Sequence, residues 1–158
     1  MVTRPYTTAS NIFFANTGAT IIGITGTKGK STTSALTDHV LRTTGKFTFL
    51  AGNIGTPMIK LLDQDLNKDD LVVLELSSYQ LEDIHYSPHI AVLLNIYKEQ
   101  HNHDSFESYQ QAKFNIAKYI KHNDYFVYNP LFPRFASLQT KAQKVPFQDL
   151  PVDFKQGS

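Results

Sequence analysis

The stretch Gly23-Ile24-Thr25-Gly26-Thr27-Lys28-Gly29-Lys30-Ser31-Thr32-Thr33 decides the fold of this chain. It follows a short apolar run, residues 19–24, that predicts a buried strand, and it precedes residues 34–44, which predict a helix. A glycine-rich turn between a strand and a helix directs backbone N–H groups and the positive end of the helix dipole at one point. The stretch therefore predicts a binding site for phosphate.

Individual residues of this stretch have distinct expected roles. Lys30 would supply an ammonium group to the outer phosphates, and Ser31 would supply a hydroxyl to Mg²⁺. The usual phosphate-loop pattern has a glycine where this chain has Ile24, but Gly26 and Gly29 still provide the flexible backbone. We expect the nucleotide to be bound by Gly26, Thr27, Lys28, Gly29, Lys30, Ser31 and Thr32. The alternative is a basic, glycine-rich turn without a ligand.

Composition limits the function classes that are available. At 158 residues, with 41% hydrophobic and 18% charged residues, the chain is long enough for one soluble domain with a sizeable core. A net charge of +1 gives no electrostatic reason to expect binding to nucleic acid or to an anionic membrane. No apolar run approaches the ~20 residues of a membrane-spanning helix. The absence of cysteine excludes disulfides and thiolate chemistry and is compatible with a cytoplasmic location.

Apolar segments alternate with amphipathic segments along the chain. Continuous apolar runs predict strands at residues 20–24, 47–51, 71–76, 90–96 and 124–128. This alternation favours an α/β fold with a mostly parallel sheet flanked by helices, similar to the P-loop NTPases. We expect residues 1–18 to be the lead-in from an upstream domain, residues 19–150 an incomplete ATP-binding domain, and residues 151–158 a tail.

Four further segments are expected to be helical. Residues 34–44 place Ala35, Leu36, Val40 and Leu41 on one helical face. Residues 57–62 predict a short helix, and residues 77–83 a loop or short helix. Asp104 and Glu107 predict a capping box that begins a helix over residues 105–121. Its inward stripe would be Tyr109, Ala112, Ile116 and Ile120, with Lys113 one step off it.

Polar residues follow the predicted strands, at the edge where parallel sheets bind their ligands. They occur at residues 25–31, at Asn53, at residues 75–78 and at residues 95–103. Glu75 interrupts an apolar strand, and a buried carboxylate is costly without a partner or a metal. Glu75 is therefore a candidate Mg²⁺ ligand, unless it lies in solvent at the end of the strand.

Five stretches in this order resemble the ATP-dependent Mur ligases of peptidoglycan synthesis. They are Gly-Ile-Thr-Gly-Thr-Lys-Gly-Lys-Ser-Thr-Thr (23–33), Gly-Asn-Ile-Gly-Thr-Pro (52–57), Leu-Glu-Leu-Ser-Ser-Tyr-Gln-Leu-Glu (74–82), Ala-Val-Leu-Leu-Asn-Ile (91–96) and Ser-Phe-Glu-Ser-Tyr-Gln-Gln-Ala-Lys (105–113). The resemblance covers about residues 12–130. Within the family, the stretch 74–82 is most similar to ligases that add D-glutamate to UDP-N-acetylmuramoyl-L-alanine.

The resemblance implies a reaction and its residues. ATP would phosphorylate the carboxylate of UDP-N-acetylmuramoyl-L-alanine, and the amine of D-glutamate would attack the resulting acyl phosphate. Lys30 would grip the β- and γ-phosphates, Ser31 and Glu75 would ligate Mg²⁺, and Asn53 would contact the acceptor substrate. Lys113 matches a lysine that is carbamylated in the family to support a second metal, whereas spacing alone would suggest a solvated lysine.

The weakest match is residues 97–104, Tyr-Lys-Glu-Gln-His-Asn-His-Asp, where the family has a metal-binding histidine. The chain is one residue shorter here, so either Gln100 or His101 occupies that position. We take His101 as the candidate catalytic and metal-binding residue, and His103 is a poorer choice.

The resembled enzymes have an N-terminal domain and a C-terminal domain on either side of the ATP-binding one. We expect this chain to be a fragment of the middle domain that cannot complete amide synthesis without those partners. Two alternatives are a stand-alone ATP-binding module and another ligase of the superfamily, such as a folylpolyglutamate synthetase. Lys28 slightly favours the latter, whereas residues 77–80, Ser-Ser-Tyr-Gln, argue against it.

Overall fold

A parallel sheet runs through the computed structural model, which describes residues 7–98 and 103–147. Its strands are β1 (Thr20–Thr25), β2 (Thr48–Gly52), β3 (Leu71–Glu75), β4 (Ile90–Leu93), β5 (Tyr125–Tyr128) and β6 (Gln143–Pro146). The α-helices are α1 (Ala9–Asn16), α2 (Lys30–Thr43), α3 (Ser78–Glu82), α4 (Phe106–Phe114) and α5 (Pro133–Ala136). Short 3₁₀ helices occupy Met58–Asp63 and Asn115–Ala117.

The six described strands lie in the order β2-β3-β1-β4-β5-β6, and every pairing is parallel. Ile24 of β1 lies opposite Glu75 of β3 on one side and Val92 of β4 on the other. The predicted α/β fold with a parallel sheet is thus confirmed. The edge strand β6 was not predicted, because its four residues, Gln-Lys-Val-Pro, are all exposed and carry no apolar pattern.

The two faces of the sheet are covered unequally. Val72 and Leu74 of β3 belong to a large apolar cluster, whereas Val73 belongs to a small one, since successive side chains of a strand point to opposite faces. The large cluster also contains residues from α1, α3 and α5: Phe13, Leu81 and Phe135. The small cluster consists of Ile22, Ile24 and Val73, with Leu41 of α2 packed against it.

Helix α2 differs from its prediction in extent and in its buried face. It begins at Lys30, four positions before the predicted start at residue 34. Ser34 is buried, whereas Leu36 and Val40, which share the predicted apolar face with Leu41, are 58% and 49% exposed. The predicted apolar face of α2 is therefore only partly buried, since only Leu41 of these three residues packs against the sheet.

Helix α4 begins and ends differently from its prediction. Asp104 is not the N-cap; Ser105 is, and its Oγ accepts the N–H of Ser108 at 3.1 Å. In return, Oγ of Ser108 accepts the N–H of Ser105 at 3.1 Å. The α-helix ends at Phe114 rather than at residue 121. All four residues of the predicted inward stripe, Tyr109, Ala112, Ile116 and Ile120, are buried, but Ile116 and Ile120 lie beyond the end of α4.

The lead-in expected over residues 1–18 contains α1, which packs on the sheet domain. Phe13 is completely buried in the large cluster. The side chain of Asn11 donates to the carbonyl of Asp83 at 2.8 Å and accepts the N–H of His85 at 2.8 Å. The proposed domain boundaries stay predictions, and the expected tail, residues 151–158, lies outside the described residues. No described helix has the length and apolar character needed to cross a bilayer.

Candidate functional site

The turn between β1 and α2, which we call the phosphate loop (residues 26–29), ends at a left-handed residue. Gly29 has φ +81° and is the N-cap of α2, a conformation that suits glycine. No side chain caps this end of the helix within the described chain, and the N–H groups of residues 30–32 have no acceptor within their own helix. Lys30 folds back over the loop, with Nζ donating to the carbonyl of Thr27 at 3.2 Å. Ser31 is exposed beside it.

Two residues that the sequence did not mark as site residues hold this loop in place. The side chain of Asn95, just beyond β4, hydrogen-bonds to the backbone of Thr27 and Lys28. The hydroxyl of Tyr109 on α4 donates to Oγ1 of Thr27 at 3.0 Å. The sequence included Asn95 among the polar residues at this edge and in the stretch 91–96, but gave it no role, and Tyr109 was predicted as a core residue.

Glu75 and Asn53 meet at the carboxyl ends of neighbouring strands. Glu75 is only 1% exposed, so the alternative of a solvated carboxylate is wrong. Its Oε1 accepts from Nδ2 of Asn53 at 3.0 Å, and its main-chain carbonyl accepts the N–H of Asn53 at 3.0 Å. Its Oε2 is buried and accepts no hydrogen bond from the residues that the structure describes. The expected gathering of polar side chains at this edge is therefore found for this pair.

The carboxylate of Glu75 is a chemically suitable ligand for a magnesium ion. A buried carboxylate oxygen without a donor is costly, and a hard divalent cation is a suitable partner for it. Residues 7–98 and 103–147 contain no group of three or more acidic, histidine or cysteine side chains that could hold a metal by themselves. Mg²⁺ is commonly held by one or two protein ligands, with waters and phosphate oxygens completing its shell. The carboxylate of Glu75 fits the role of one such ligand.

Lys113 lies inside the protein rather than in solvent. It is 2% exposed, so the expectation of a solvated lysine from helical spacing is wrong. Its Nζ donates to the carbonyl of Gly26 at 2.9 Å and lies 4.7 Å from the centroid of the Tyr109 ring. The helix α4 thereby brings Lys113 against the first residue of the phosphate loop.

The candidate histidine His101 lies outside the described residues, as does Gln100. His103 is described, and its Nε2 lies 2.9 Å from Oγ of Ser78, the first residue of α3. Its ring stacks on Tyr79 with centroids 4.9 Å apart. His103 is therefore held near the segment that follows Glu75.

A parallel α/β domain in which a loop ending in Gly29-Lys30-Ser31 joins the central strand β1 to α2 is typical of the phosphate-loop class of proteins. The family model described as "Mur ligase middle domain" matches residues 24–157. The chain belongs to the Mur ligase family.

Curated relatives agree with this assignment. A UDP-N-acetylmuramoylalanine–D-glutamate ligase from Thermosipho africanus is 45% identical over 132 residues, which cover 81% of this chain and 31% of the relative. The enzyme of the same name from Alkaliphilus metalliredigens is 40% identical over 131 residues, or 80% of this chain and 29% of the relative. The chain thus spans about a third of the length of these relatives.

Solved structures show the same fold. A MurF ligase from Thermotoga maritima in complex with ADP has a TM-score of 0.66 at 22% identity, covering 85% of this chain and 34% of that one. The UDP-N-acetylmuramate:L-alanyl-gamma-D-glutamyl-meso-diaminopimelate ligase from Neisseria meningitides has a TM-score of 0.62 at 19% identity, covering 86% and 48%.

Proposed function

We propose that this chain is the ATP-binding part of a ligase that joins D-glutamate to UDP-N-acetylmuramoyl-L-alanine in peptidoglycan synthesis. The observation that carries the proposal is the buried carboxylate of Glu75, which has an oxygen without a donor and lies on the strand beside the phosphate loop. Such an oxygen suits the Mg²⁺ that accompanies ATP. The names and the 40–45% identity of the relatives support the choice of substrates.

In this proposal the protein's residues divide the work of phosphoryl transfer. Lys30 and the N–H groups in the first turn of α2 bind the β- and γ-phosphates, where positive charge offsets the charge that develops during transfer. Ser31 and Glu75 hold Mg²⁺, which when bound neutralises phosphate charge. Asn53, fixed by its hydrogen bond to Glu75, contacts the acceptor near the transferred group.

The reaction balances as two substitutions. A carboxylate oxygen of UDP-N-acetylmuramoyl-L-alanine forms a bond to the γ-phosphorus as ADP leaves, which gives an acyl phosphate. The amine nitrogen of D-glutamate then attacks the acyl carbon, inorganic phosphate leaves, and the amine releases a proton as the amide forms. Positioning and electrostatic stabilisation are the main contributions expected of the protein in the first step.

We extend the proposal to the second metal and to the remaining partners. Lys113 would carry a carbamate that supports a second Mg²⁺, together with His101. A ¹³C carbamate resonance after incubation with ¹³CO₂, lost in Lys113→Ala, tests this.

The N- and C-terminal ligase domains would complete the acceptor and D-glutamate sites. We place the reaction in the cytoplasm, because ATP is its co-substrate, and expect no nucleic-acid or membrane partner.

Calorimetric titration of the chain with ATP, with and without Mg²⁺, tests the nucleotide site. We expect saturable, Mg²⁺-dependent binding that Lys30→Ala abolishes. Lys46→Ala is the matched control, since Lys46 is an exposed lysine beyond the far end of α2. Binding that survives Lys30→Ala, or no binding by a chain shown folded by circular dichroism, contradicts the proposal.

A chimera tests the ligase reaction itself. The matching 131 residues of the Alkaliphilus enzyme would be replaced by those of this chain, and phosphate release measured with UDP-N-acetylmuramoyl-L-alanine. Release that depends on D-glutamate, and is lost in Lys30→Ala, is the expected result. Nucleotide binding without any turnover in the chimera would instead favour a stand-alone ATP-binding module.

A further inference from the structure

Asn95 makes an unusually complete set of contacts with the phosphate loop. Its Oδ1 accepts the N–H of Lys28 at 2.9 Å and the N–H of Thr27 at 3.1 Å. Its Nδ2 donates to the carbonyl of Lys28 at 3.0 Å. Its main-chain carbonyl also accepts the N–H of Thr27, at 2.9 Å. Asn95 alone therefore provides hydrogen-bond partners for two N–H groups and one carbonyl of the loop.

These contacts divide the donors of the loop region into two groups. The N–H groups of Thr27 and Lys28 point at Asn95, so they are engaged within the protein. The N–H groups of residues 30–32, in the first turn of α2, have no acceptor within their own helix. The second group is the one available to a phosphate.

Two further features hold the loop against the end of β4. Oγ1 of Thr27 accepts the N–H of Tyr97 at 3.0 Å, in addition to the hydroxyl of Tyr109. A Cβ atom on Gly26 would lie 3.0 Å from Cβ of Leu94 and 3.4 Å from the backbone nitrogen of Asn95. Glycine at position 26 therefore allows the close approach that the Asn95 contacts need.

We propose that Asn95 is a positioning residue that fixes the phosphate loop in its binding form before nucleotide arrives. Phosphate is then bound by the amides of residues 30–32, and those of Thr27 and Lys28 are structural. The benefit is preorganisation, because a loop already ordered loses less conformational entropy on binding. The part of the proposal that concerns nucleotide rests on the proposed function.

Amide hydrogen exchange without nucleotide tests the positioning role directly. We expect the Thr27 and Lys28 amides to be protected in the unaltered chain. In Asn95→Ala the Lys28 amide should exchange roughly tenfold faster or more, since it loses its side-chain acceptor, whereas the Thr27 amide keeps the main-chain carbonyl of residue 95 and should change less. Asn95→Asp keeps an acceptor for the Lys28 amide but loses the donor to the Lys28 carbonyl, so exchange of that amide should be intermediate between the unaltered chain and Asn95→Ala. Equal exchange in the unaltered chain and Asn95→Ala overturns the proposal.

Asn129→Ala is the matched control for that experiment. Asn129 is the first residue after the neighbouring strand β5, and its Oδ1 accepts the N–H of Leu131, at 3.0 Å, rather than an N–H of the phosphate loop. We expect exchange at Thr27 and Lys28 to be unchanged in this variant. Faster exchange there in Asn129→Ala would indicate general loosening of the fold and would overturn a specific role for Asn95.

Nucleotide titration separates this inference from the proposed function. We expect Asn95→Ala to weaken Mg²⁺-ATP binding roughly tenfold, because the loop must be ordered on binding. Amide chemical-shift changes on binding should concentrate at residues 30–32, with Thr27 and Lys28 still protected. Affinity unchanged in Asn95→Ala, or loss of protection at Thr27 and Lys28 on binding, overturns the inference. Failure of the unaltered chain to bind ATP contradicts the proposed function, whereas the exchange experiment still decides whether Asn95 fixes the loop.

Discussion

Glu75 combines complete burial with incomplete hydrogen bonding. One carboxylate oxygen is held by Asn53, and the other has no donor among the described residues. An unpaired polar atom in the interior lowers the stability of a protein unless a ligand satisfies it. At the scale of a residue, such an atom is a stronger sign of function than an exposed carboxylate would be.

We predict that Glu75→Gln abolishes the Mg²⁺ dependence of ATP binding without lowering the free energy of unfolding. Glutamine keeps the shape of the side chain but removes the charge that a divalent cation needs, and it relieves an unpaired buried charge. Calorimetry with and without Mg²⁺ and thermal unfolding measure the two effects. Glu82→Gln, an exposed carboxylate at the end of α3, is the control. Mg²⁺ dependence retained in Glu75→Gln would exclude Glu75 as a ligand.

A second prediction at the scale of a residue concerns the contribution of Lys113 to stability. We expect Lys113→Ala to lower the free energy of unfolding by about 2–4 kcal/mol, because it leaves a cavity and removes the donor to the buried carbonyl of Gly26. Lys118→Ala, five residues along the chain from Lys113 and exposed, should change it by less than about 0.5 kcal/mol. Chemical denaturation measures both, and similar values for the two variants would contradict the structural importance of the Lys113 contact.

At the scale of an element, α4 shows how a helix start positions the site. The reciprocal hydrogen bonds of Ser105 and Ser108 fix the first turn of the helix. The same helix carries Tyr109 and Lys113, which contact Thr27 and Gly26 of the phosphate loop. The beginning of α4 therefore affects where two loop contacts lie.

The capping residue of α4 can be identified by a pair of substitutions. We predict that Ser105→Ala lowers the free energy of unfolding by about 0.5–2 kcal/mol, the usual cost of losing an N-cap side chain. Asp104→Ala removes the residue that the sequence pattern suggested and should have an effect within about 0.5 kcal/mol. Denaturant unfolding curves of the two variants provide the comparison. A larger loss in Asp104→Ala would mean that Asp104 caps the helix in solution.

At the scale of the whole molecule, the sheet has a thickly covered face and a thinly covered one. Helices α1, α3 and α5 contribute to the large cluster, whereas the small cluster lies under α2. Leucines of similar sequence character consequently have different environments: Leu81 of α3 is completely buried, and Leu36 of α2 is 58% exposed.

Two leucine substitutions measure this asymmetry. We predict that Leu81→Ala lowers the free energy of unfolding by about 2–5 kcal/mol, because it leaves a cavity in the large cluster. Leu36→Ala should change it by less than about 0.5 kcal/mol, since its side chain is mostly in solvent and alanine favours a helix. Equal losses in the two variants, measured by chemical denaturation, would show that α2 buries Leu36 in solution.

The sequence by itself determined the parallel α/β fold, the phosphate loop and the gathering of polar residues at one edge of the sheet. These follow from local signals: continuous apolar strands, the glycines around Lys30, and the position of Asn53 and Glu75 at the ends of strands. Such signals depend on neighbours within a few residues, so they can be recognised in the sequence without knowledge of the packing.

The tertiary structure alone decided which of these side chains have partners. Asn95 lies 67 positions from Lys28 along the chain, and Lys113 lies 87 positions from Gly26, so no local pattern predicts their contacts. The exposure of Leu36 and the edge position of β6 likewise depend on which elements cover each face of the sheet. Contacts between distant residues form only when the strands pair in the order β2-β3-β1-β4-β5-β6, and that order is set by the packing of the whole domain.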